Sequence, residues 1–179
     1  TQMITVSYYV ACSLDGFIAT VDGGVDWLSE FHVEGEDFGY AKFFESVDAM
    51  VMGSATYEQV LGFGEWPYGD KLCWVMSQRP IQAVRPEITI TALDPAEILA
   101  EIEDHHLTRA WLVGGARAAG AFRAHGLIDE YLITVLPTLL GDGVPLFVDD
   151  GPRLNLQLVK NGSAGKGAVT LHYCRSEDG

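Results

Sequence analysis

The sequence predicts an α/β domain, with a mostly parallel central sheet, helices on both faces and an antiparallel hairpin at the carboxyl end. Three observations predict it. Short, almost wholly apolar runs recur at 48–52, 72–76 and 110–113, as in strands buried on both faces. Segments of helical spacing fall between them, and such alternation builds a parallel sheet covered by helices. Near the end, Leu154, Leu156 and Leu158 alternate with polar positions, as do Val169, Leu171 and Tyr173, on either side of a glycine-rich turn at 161–167.

Residues 4–14 open the order. Ile4, Val6, Tyr8 and Val10 alternate with Thr5, Ser7 and Tyr9, which is the period of a strand, and Asp15-Gly16 ends it. Residues 17–29 hold few core candidates around Gly16, Gly23 and Gly24, and read as a long loop or a short hairpin. Phe38, Ala41, Phe43 and Phe44 give 36–45 a near-helical spacing. The run at 48–52 is a strand, and Gly53-Ser54-Ala55-Thr56-Tyr57-Glu58 opens a brief helix. A third strand covers 71–76 and a short fourth covers 88–90. Asp94-Pro95-Ala96-Glu97 is a helix start with Asp as cap, Pro at the first helical position and Glu reaching back. Ile98, Leu99 and Ile102 supply its buried face, and it should fade near Leu107. After the strand at 110–113, Gly114-Gly115 leads into a helix that Gly126 can end. Residues 131–136 form a strand stopped by Pro137. No repeat, linker or boundary interrupts the chain, so residues 1–179 read as a single domain.

Charge narrows the function classes. Against 11 Lys and Arg stand 25 Asp and Glu, a net charge of −14. That surface repels a phosphate backbone, and the cations are dispersed, so no nucleic-acid partner is expected. A cation beside a glycine turn becomes more informative for the same reason. No apolar run approaches the roughly 20 residues of a bilayer span, and Thr1-Gln2-Met3-Ile4 enters strand-like sequence without a basic leader. Three scattered cysteines, Cys12, Cys73 and Cys174, fit reduced thiols better than a disulfide framework. No membrane association is expected; a cytoplasmic location is.

Two strand ends hand over to helices through glycine: Val51-Met52-Gly53-Ser54-Ala55-Thr56 and Leu112-Val113-Gly114-Gly115-Ala116-Arg117. Glycine admits a ligand close to the backbone, and the leading N–H groups of the next helix aim at an anion. Ser54 and Thr56 add hydroxyls, and Arg117 adds charge. A third junction, Met76-Ser77-Gln78-Arg79, sets a hydroxyl, an amide and a guanidinium in sequence. Each turn alone is only a turn. Three on successive strands suit a pyrophosphate between two helix starts, with a further cationic site for an extra phosphate. The G-x-G-x-x-G fingerprint is absent from both turns.

These residues carry a resemblance. The chain is similar to the dihydrofolate reductase-like superfamily and, within it, to the reductase domain of the riboflavin-biosynthesis deaminase–reductase and its stand-alone relatives. The resemblance rests on Ser13-Leu14-Asp15-Gly16-Phe17-Ile18-Ala19, on Asp48 through Glu58, on Val75-Met76-Ser77, on Leu112-Val113-Gly114-Gly115, on Leu127-Ile128-Asp129-Glu130 through Pro137, and on Leu140-Gly141-Asp142-Gly143 with Pro145-Leu146-Phe147. It implies a three-layer fold whose sheet binds NADPH along its carboxyl edge. Gly53, Ser54, Ala55 and Thr56, with Gly115, Ala116 and Arg117 beyond Val113 and Gly114, would hold the pyrophosphate. Ser77, Gln78 and Arg79 would cradle the 2′-phosphate side. Ala11, Ile18 and Ala19 would line the nicotinamide, with 14–27 as a mobile lid. Many relatives carry Arg where this chain has Ser54, so NADH stands beside NADPH as the cofactor. Dihydrofolate reductases place an acid sixteen positions before the glycine that is Gly53 here, which lands on Asp37, with Glu34 and Glu36 as rivals.

Hydride transfer to an imine or carbonyl needs a held dihydronicotinamide, an aligned acceptor and a proton. A half-buried Asp37, its pKa raised by desolvation, would supply the proton. Trp27, Phe31, Phe38 and Tyr40 offer faces for a flat substrate ring, and Trp66, on the loop Phe63-Gly64-Glu65-Trp66-Pro67, offers another wall. Trp27, Phe38 and Trp66 are the substrate-side candidates. Trp74 and Trp111 lie inside strands and read as packing. His105, His106 and Glu101 fall short of a ligand set, so no metal is expected, and no G-x-S-x-G elbow supports a nucleophile. The expected function is an NADPH-dependent reductase of a small heterocyclic (pterin- or pyrimidine-like) or carbonyl substrate. The alternative is a non-catalytic nucleotide-binding or interaction protein of the same fold. The strand at 131–136 and the segment 144–148 are apolar for a carboxyl-terminal edge, and the relatives pair, which points to a homodimer.

Overall fold

The computed structural model describes residues 4–148 and 151–176; the leading Thr1, Gln2 and Met3 lie outside them. One eight-stranded sheet runs in the order β5-β4-β3-β6-β1-β7-β10-β9. Its strands are β1 (Thr5–Ser13), β3 (Ala49–Gly53), β4 (Leu72–Met76), β5 (Ile88–Thr91), β6 (Arg109–Gly114), β7 (Glu130–Leu136), β9 (Leu156–Ala164) and β10 (Ala168–Arg175). All neighbours from β5 to β7 pair parallel, and β10 pairs antiparallel with both β7 and β9. The helices are α1 (Tyr40–Ser46), α2 (Ser54–Leu61), α3 (Pro95–Asp104) and α4 (Ala116–Ala124). Among the described residues no helix is long and apolar enough to cross a membrane.

Strand periodicity sorts the core into two layers. Ala49 and Val51 of β3, Ala110 and Leu112 of β6, and Trp74 of β4 pack with Ile98, Leu99 and Ile102 of α3 and with Ala118, Ala119 and Phe122 of α4. Their strand neighbours Met50, Met52, Cys73, Val75 and Trp111 face the other way, against Phe43 of α1 and Tyr57 and Val60 of α2. Helices therefore cover both faces, and the three-layer reading stands.

Local chemistry explains the element ends. In α3, Asp94 Oδ1 accepts the Glu97 N–H at 2.9 Å and Glu97 Oε1 accepts the Asp94 N–H at 3.2 Å, the reciprocal cap that the sequence announced. It closes at Asp104, short of Leu107. The first helix is shorter than expected because Phe38 (φ 56°) and Gly39 (φ 79°) take left-handed backbone and break the segment 36–39 away from it. The turn expected at 161–167 contracts to a single 3₁₀ turn, Gly165–Gly167, because β9 extends to Ala164. Leu158 faces Tyr173, but a register shift between His172 and Tyr173 sets Leu171 opposite Asn161.

Two expectations are corrected. Residues 17–29 are neither a free loop nor a local hairpin. Strand β2 (Phe17–Ala19) leaves the chain's own neighbourhood to pair with β8 (Val144–Pro145), and a 3₁₀ helix follows at Asp26–Phe31. The Leu14 N–H donates to the Thr138 carbonyl and the Leu146 N–H to the Gly16 carbonyl, both at 2.8 Å. Asp15 accepts the Leu140 and Gly141 N–H groups at 3.1 and 2.8 Å. The first half of the supposed lid is pinned. Strand β7 is likewise no edge: it sits between β1 and β10, and the outer strand is β9.

Candidate binding cleft

Strands β3 and β6 are neighbours, and the helices that follow them leave to opposite faces of the sheet. A crevice must open between two such helix starts. Neither α2 nor α4 has a side chain capping its first turn. Their leading N–H groups lack intrahelical partners and carry the positive ends of the two helix dipoles. The starts are tied together, since the Gly115 N–H donates to Thr56 Oγ1 at 2.9 Å. That bond leaves the Thr56 hydroxyl proton free to donate. Gly114 makes the turn with φ 123°, which side chains rarely adopt. Gly115 keeps it close, because a Cβ there would lie 3.3 Å from Thr56 Oγ1.

The crevice encloses about 760 Å³, within the roughly 300–1,000 Å³ of pockets that hold cofactors and small ligands. Gly53 at the end of β3 lines it with Ser54, Ala55 and Thr56 of α2, and Gly115 lines it just ahead of Ala116 and Arg117 of α4. Ile18 and Ala19 reach it from β2, and Ser77, Gln78 and Arg79 from the end of β4. Twelve of the fifteen cofactor-side residues named from the sequence thus meet in one cavity. Ala11, Val113 and Gly114 do not line it: Ala11 is mid-strand opposite Thr134, and the other two finish β6.

Two of the assembled residues play parts other than those expected. Buried Ser77 gives its hydroxyl proton to the Arg79 carbonyl (2.8 Å) and accepts the Arg79 N–H (3.0 Å). With its one donor used, it shapes the turn and has none left for a phosphate. The exposed Arg79 guanidinium is paired with Glu58 at 2.7 Å.

Sequence reasoning missed several lining residues. Gln59 and Ala118 stand one turn along α2 and α4 from the glycine junctions, a helical spacing that could have revealed them. Asp22 and Gly23 belong to the turn after β2, where the Gly23 carbonyl accepts Gln59 Nε2. Thr91 ends β5, Leu93 follows it and Val144 opens β8; distant elements bring them in, and no local pattern marks them.

The substrate-side candidates are not brought together. Trp27, Phe38 and Trp66 are absent from the cleft lining. Trp66 meets Tyr57 and Tyr68 edge-on, with centroids 5.8 and 5.1 Å away, so it packs the α2 layer. Trp27 contacts Phe31 at 6.5 Å, and the Phe38 carbonyl accepts the Tyr9 hydroxyl at 3.0 Å. The indole N–H of both Trp27 and Trp66 is buried with no hydrogen-bond partner.

Asp37 is also not what desolvation would require. It is exposed, and its carboxylate accepts the Ala41 N–H at 3.0 Å and the Gly39 N–H at 2.9 Å. Those bonds, the Ala41 one foremost, lower its pKa instead of raising it. Asp37 fastens the start of α1. Glu36 accepts the Phe38 N–H at 2.7 Å, and neither it nor Glu34 lines the cleft. The acid that does is Asp22, held ionised by the Thr20 hydroxyl and the Gly24 N–H. Elsewhere, burial pushes the Cys12 thiol up to about 11 and the Cys73 thiol up to about 12, so both are inert core groups.

Comparison with known proteins agrees with this fold. A family profile described as the RibD C-terminal domain matches residues 69–170. The uncharacterized protein YwjB of Bacillus subtilis (strain 168) is 37% identical over 169 residues, covering 94% of this chain and 96% of that protein. A candidate riboflavin biosynthesis protein from Shewanella sp. PV-4 superimposes with a TM-score of 0.89 at 29% identity, over 97% of this chain and 100% of that one. The deaminase/5-amino-6-(5-phosphoribosylamino)uracil reductase of Thermotoga maritima shares the fold, with a TM-score of 0.74 at 14% identity. It aligns over 97% of this chain and 57% of its own. With the profile spanning more than half its length and a relative above 30% identity across nearly all of it, this chain belongs to the RibD C-terminal domain family and has that family's reductase-type fold.

Proposed function

We propose that this chain is an NAD(P)H-dependent oxidoreductase that delivers hydride to a small heterocyclic acceptor of pterin or pyrimidine type, or to a carbonyl compound. One observation carries the reading: two uncapped helix starts, α2 and α4, joined through Thr56 and Gly115, open on one cavity. That arrangement fits a pyrophosphate, whose oxygens would take the free N–H groups and the Thr56 proton. Arg117, exposed at the second residue of α4, adds a cation to the same end. Val144, paired with Ala19 across the β2–β8 ladder, and the adjoining Ile18 offer an apolar wall that would hold one face of a flat ring. When bound, a reduced nicotinamide supplies the hydride. This chain's residues bind and orient, and with Asp37 capping a helix, the proton reaches the acceptor from solvent.

A specific observation favours a second reading. Among the described residues the one carboxyl lining the cleft, Asp22, has a lowered pKa and is a poor proton donor. A non-catalytic nucleotide-binding protein would need no donor. Titration separates the two. NADPH or NADH should quench tryptophan fluorescence, and the absorbance of the reduced nicotinamide should then fall on adding pterin, pyrimidine or carbonyl acceptors. Binding without oxidation across that panel would favour the second reading; no binding of either dinucleotide would end both.

The functional unit we propose is a cytoplasmic homodimer. Free thiols at Cys12, Cys73 and Cys174 suit a reducing compartment. Leu156, Leu158 and Val159 stand exposed on the outer strand β9, an edge that a second copy would cover.

A further inference from the structure

The rim of the cleft holds an ion pair whose partners come from different junctions. Glu58 lies on α2, two residues past Thr56, and Arg79 follows β4. Arg79 Nη2 donates to Glu58 Oε1 at 2.7 Å. The turn beneath is not loose: the two Ser77 hydrogen bonds to the Arg79 backbone fix where its side chain departs. Among the described charged side chains that line the cavity, Arg79 and Arg117 are cationic and Asp22 anionic. Glu58 cancels one of the two cations.

We propose that Glu58 is a specificity-determining residue: by holding Arg79 it weakens the grip of the rim on a 2′-phosphate and so narrows the preference of the cleft for NADPH over NADH. The proposal rests on the dinucleotide reading above and refines it. A phosphate monoester brings about 1.5 to 2 negative charges near neutral pH. Approaching Arg79, it meets the Glu58 carboxylate already on the guanidinium and is repelled by it. The guanidinium keeps other N–H groups to offer, so the effect is a bias and not a block. Side-chain exposures of 65% for Arg79 and 49% for Glu58 mean that water and salt screen the pair. Unphosphorylated NADH, ending in a neutral 2′-hydroxyl, meets no such repulsion.

Calorimetric affinities for NADPH and NADH, measured on the wild type, Glu58→Gln, Arg79→Ala and the double variant, test this. Glu58→Gln should tighten NADPH about three- to fivefold, the scale of an exposed ion pair, and leave NADH within about twofold. NADH is the internal control for folding. The gain should shrink at high salt and vanish when Arg79 is already Ala. Equal changes for both dinucleotides, no change for either, or a gain that survives in the Arg79→Ala background would overturn it. Wild type that binds neither dinucleotide would instead remove the parent reading, and this proposal with it.

Discussion

Strands β3, β4 and β6 are buried on both faces, whereas β9, at the far end of the same sheet, is exposed along most of its length. The difference follows from connection. Parallel strands need crossovers, and those here carry the helices that cover both faces, except the irregular one from β4 to β5. The closing hairpin needs only a turn, so nothing covers β9. Helix starts, the feature that makes a cleft, exist only where crossovers exist. The covered end therefore carries the candidate cleft, and the bare end keeps large apolar side chains exposed.

The contrast can be broken most sharply at Leu112, fully buried in β6 between α3 and α4. Leu112→Ala should lower unfolding free energy by about 2–5 kcal/mol in urea titration. A loss below about 1 kcal/mol would mean the parallel half is not the stabilising one. The matched change on the other half is Leu158→Lys, at a side chain 47% exposed. Its effect on protomer stability should stay within about 0.5 kcal/mol, while light scattering should shift from dimer toward monomer. A wild type that is already monomeric would remove the association half of the comparison.

A smaller effect sits at the seam between the two regions. Asp15 accepts the Ser13 hydroxyl at 2.6 Å and the Gly141 and Leu140 N–H groups, and these bonds lower its pKa, the Ser13 one foremost. A carboxyl whose folded pKa lies below its unfolded value of about 3.9 stabilises the fold above that value and loses the contribution as pH falls through the folded pKa. Asp15→Asn should accordingly be less stable than wild type at neutral pH and converge with it under acid. A gap independent of pH would show that the carboxylate charge is not what fastens the seam.

Legibility in the sequence divides along the same line. The parallel half was readable because burial on both faces leaves uninterrupted apolar runs and because Asp94-Pro95-Ala96-Glu97 caps a helix by local bonds alone. The glycine junctions were readable for the same reason, since each joins adjacent residues. Strand β8, two residues long, was not, because its partner Phe17–Ala19 lies more than a hundred positions earlier. Asp37 misled because distance along a chain does not measure burial: the left-handed Phe38 and Gly39 turn that segment outward, and the carboxylate finds backbone N–H groups there. Trp66 misled in the opposite sense. Its loop is polar, yet Tyr57 and Tyr68 draw the ring inward.

The clasp between β2 and β8 has a consequence for how the recess can change over time. It stands apart from the eight-stranded sheet, held by its own ladder, by Gly16 and Leu146, and by a glycine at 143 where any Cβ would overlap the Ala19 carbonyl oxygen. Ile18 and Val144 contribute no rung to the main ladder, so a change of size at either acts first on the wall of the recess. Descendants of one ancestor could thus diverge in the shape of this recess while inheriting the same pair of helix starts.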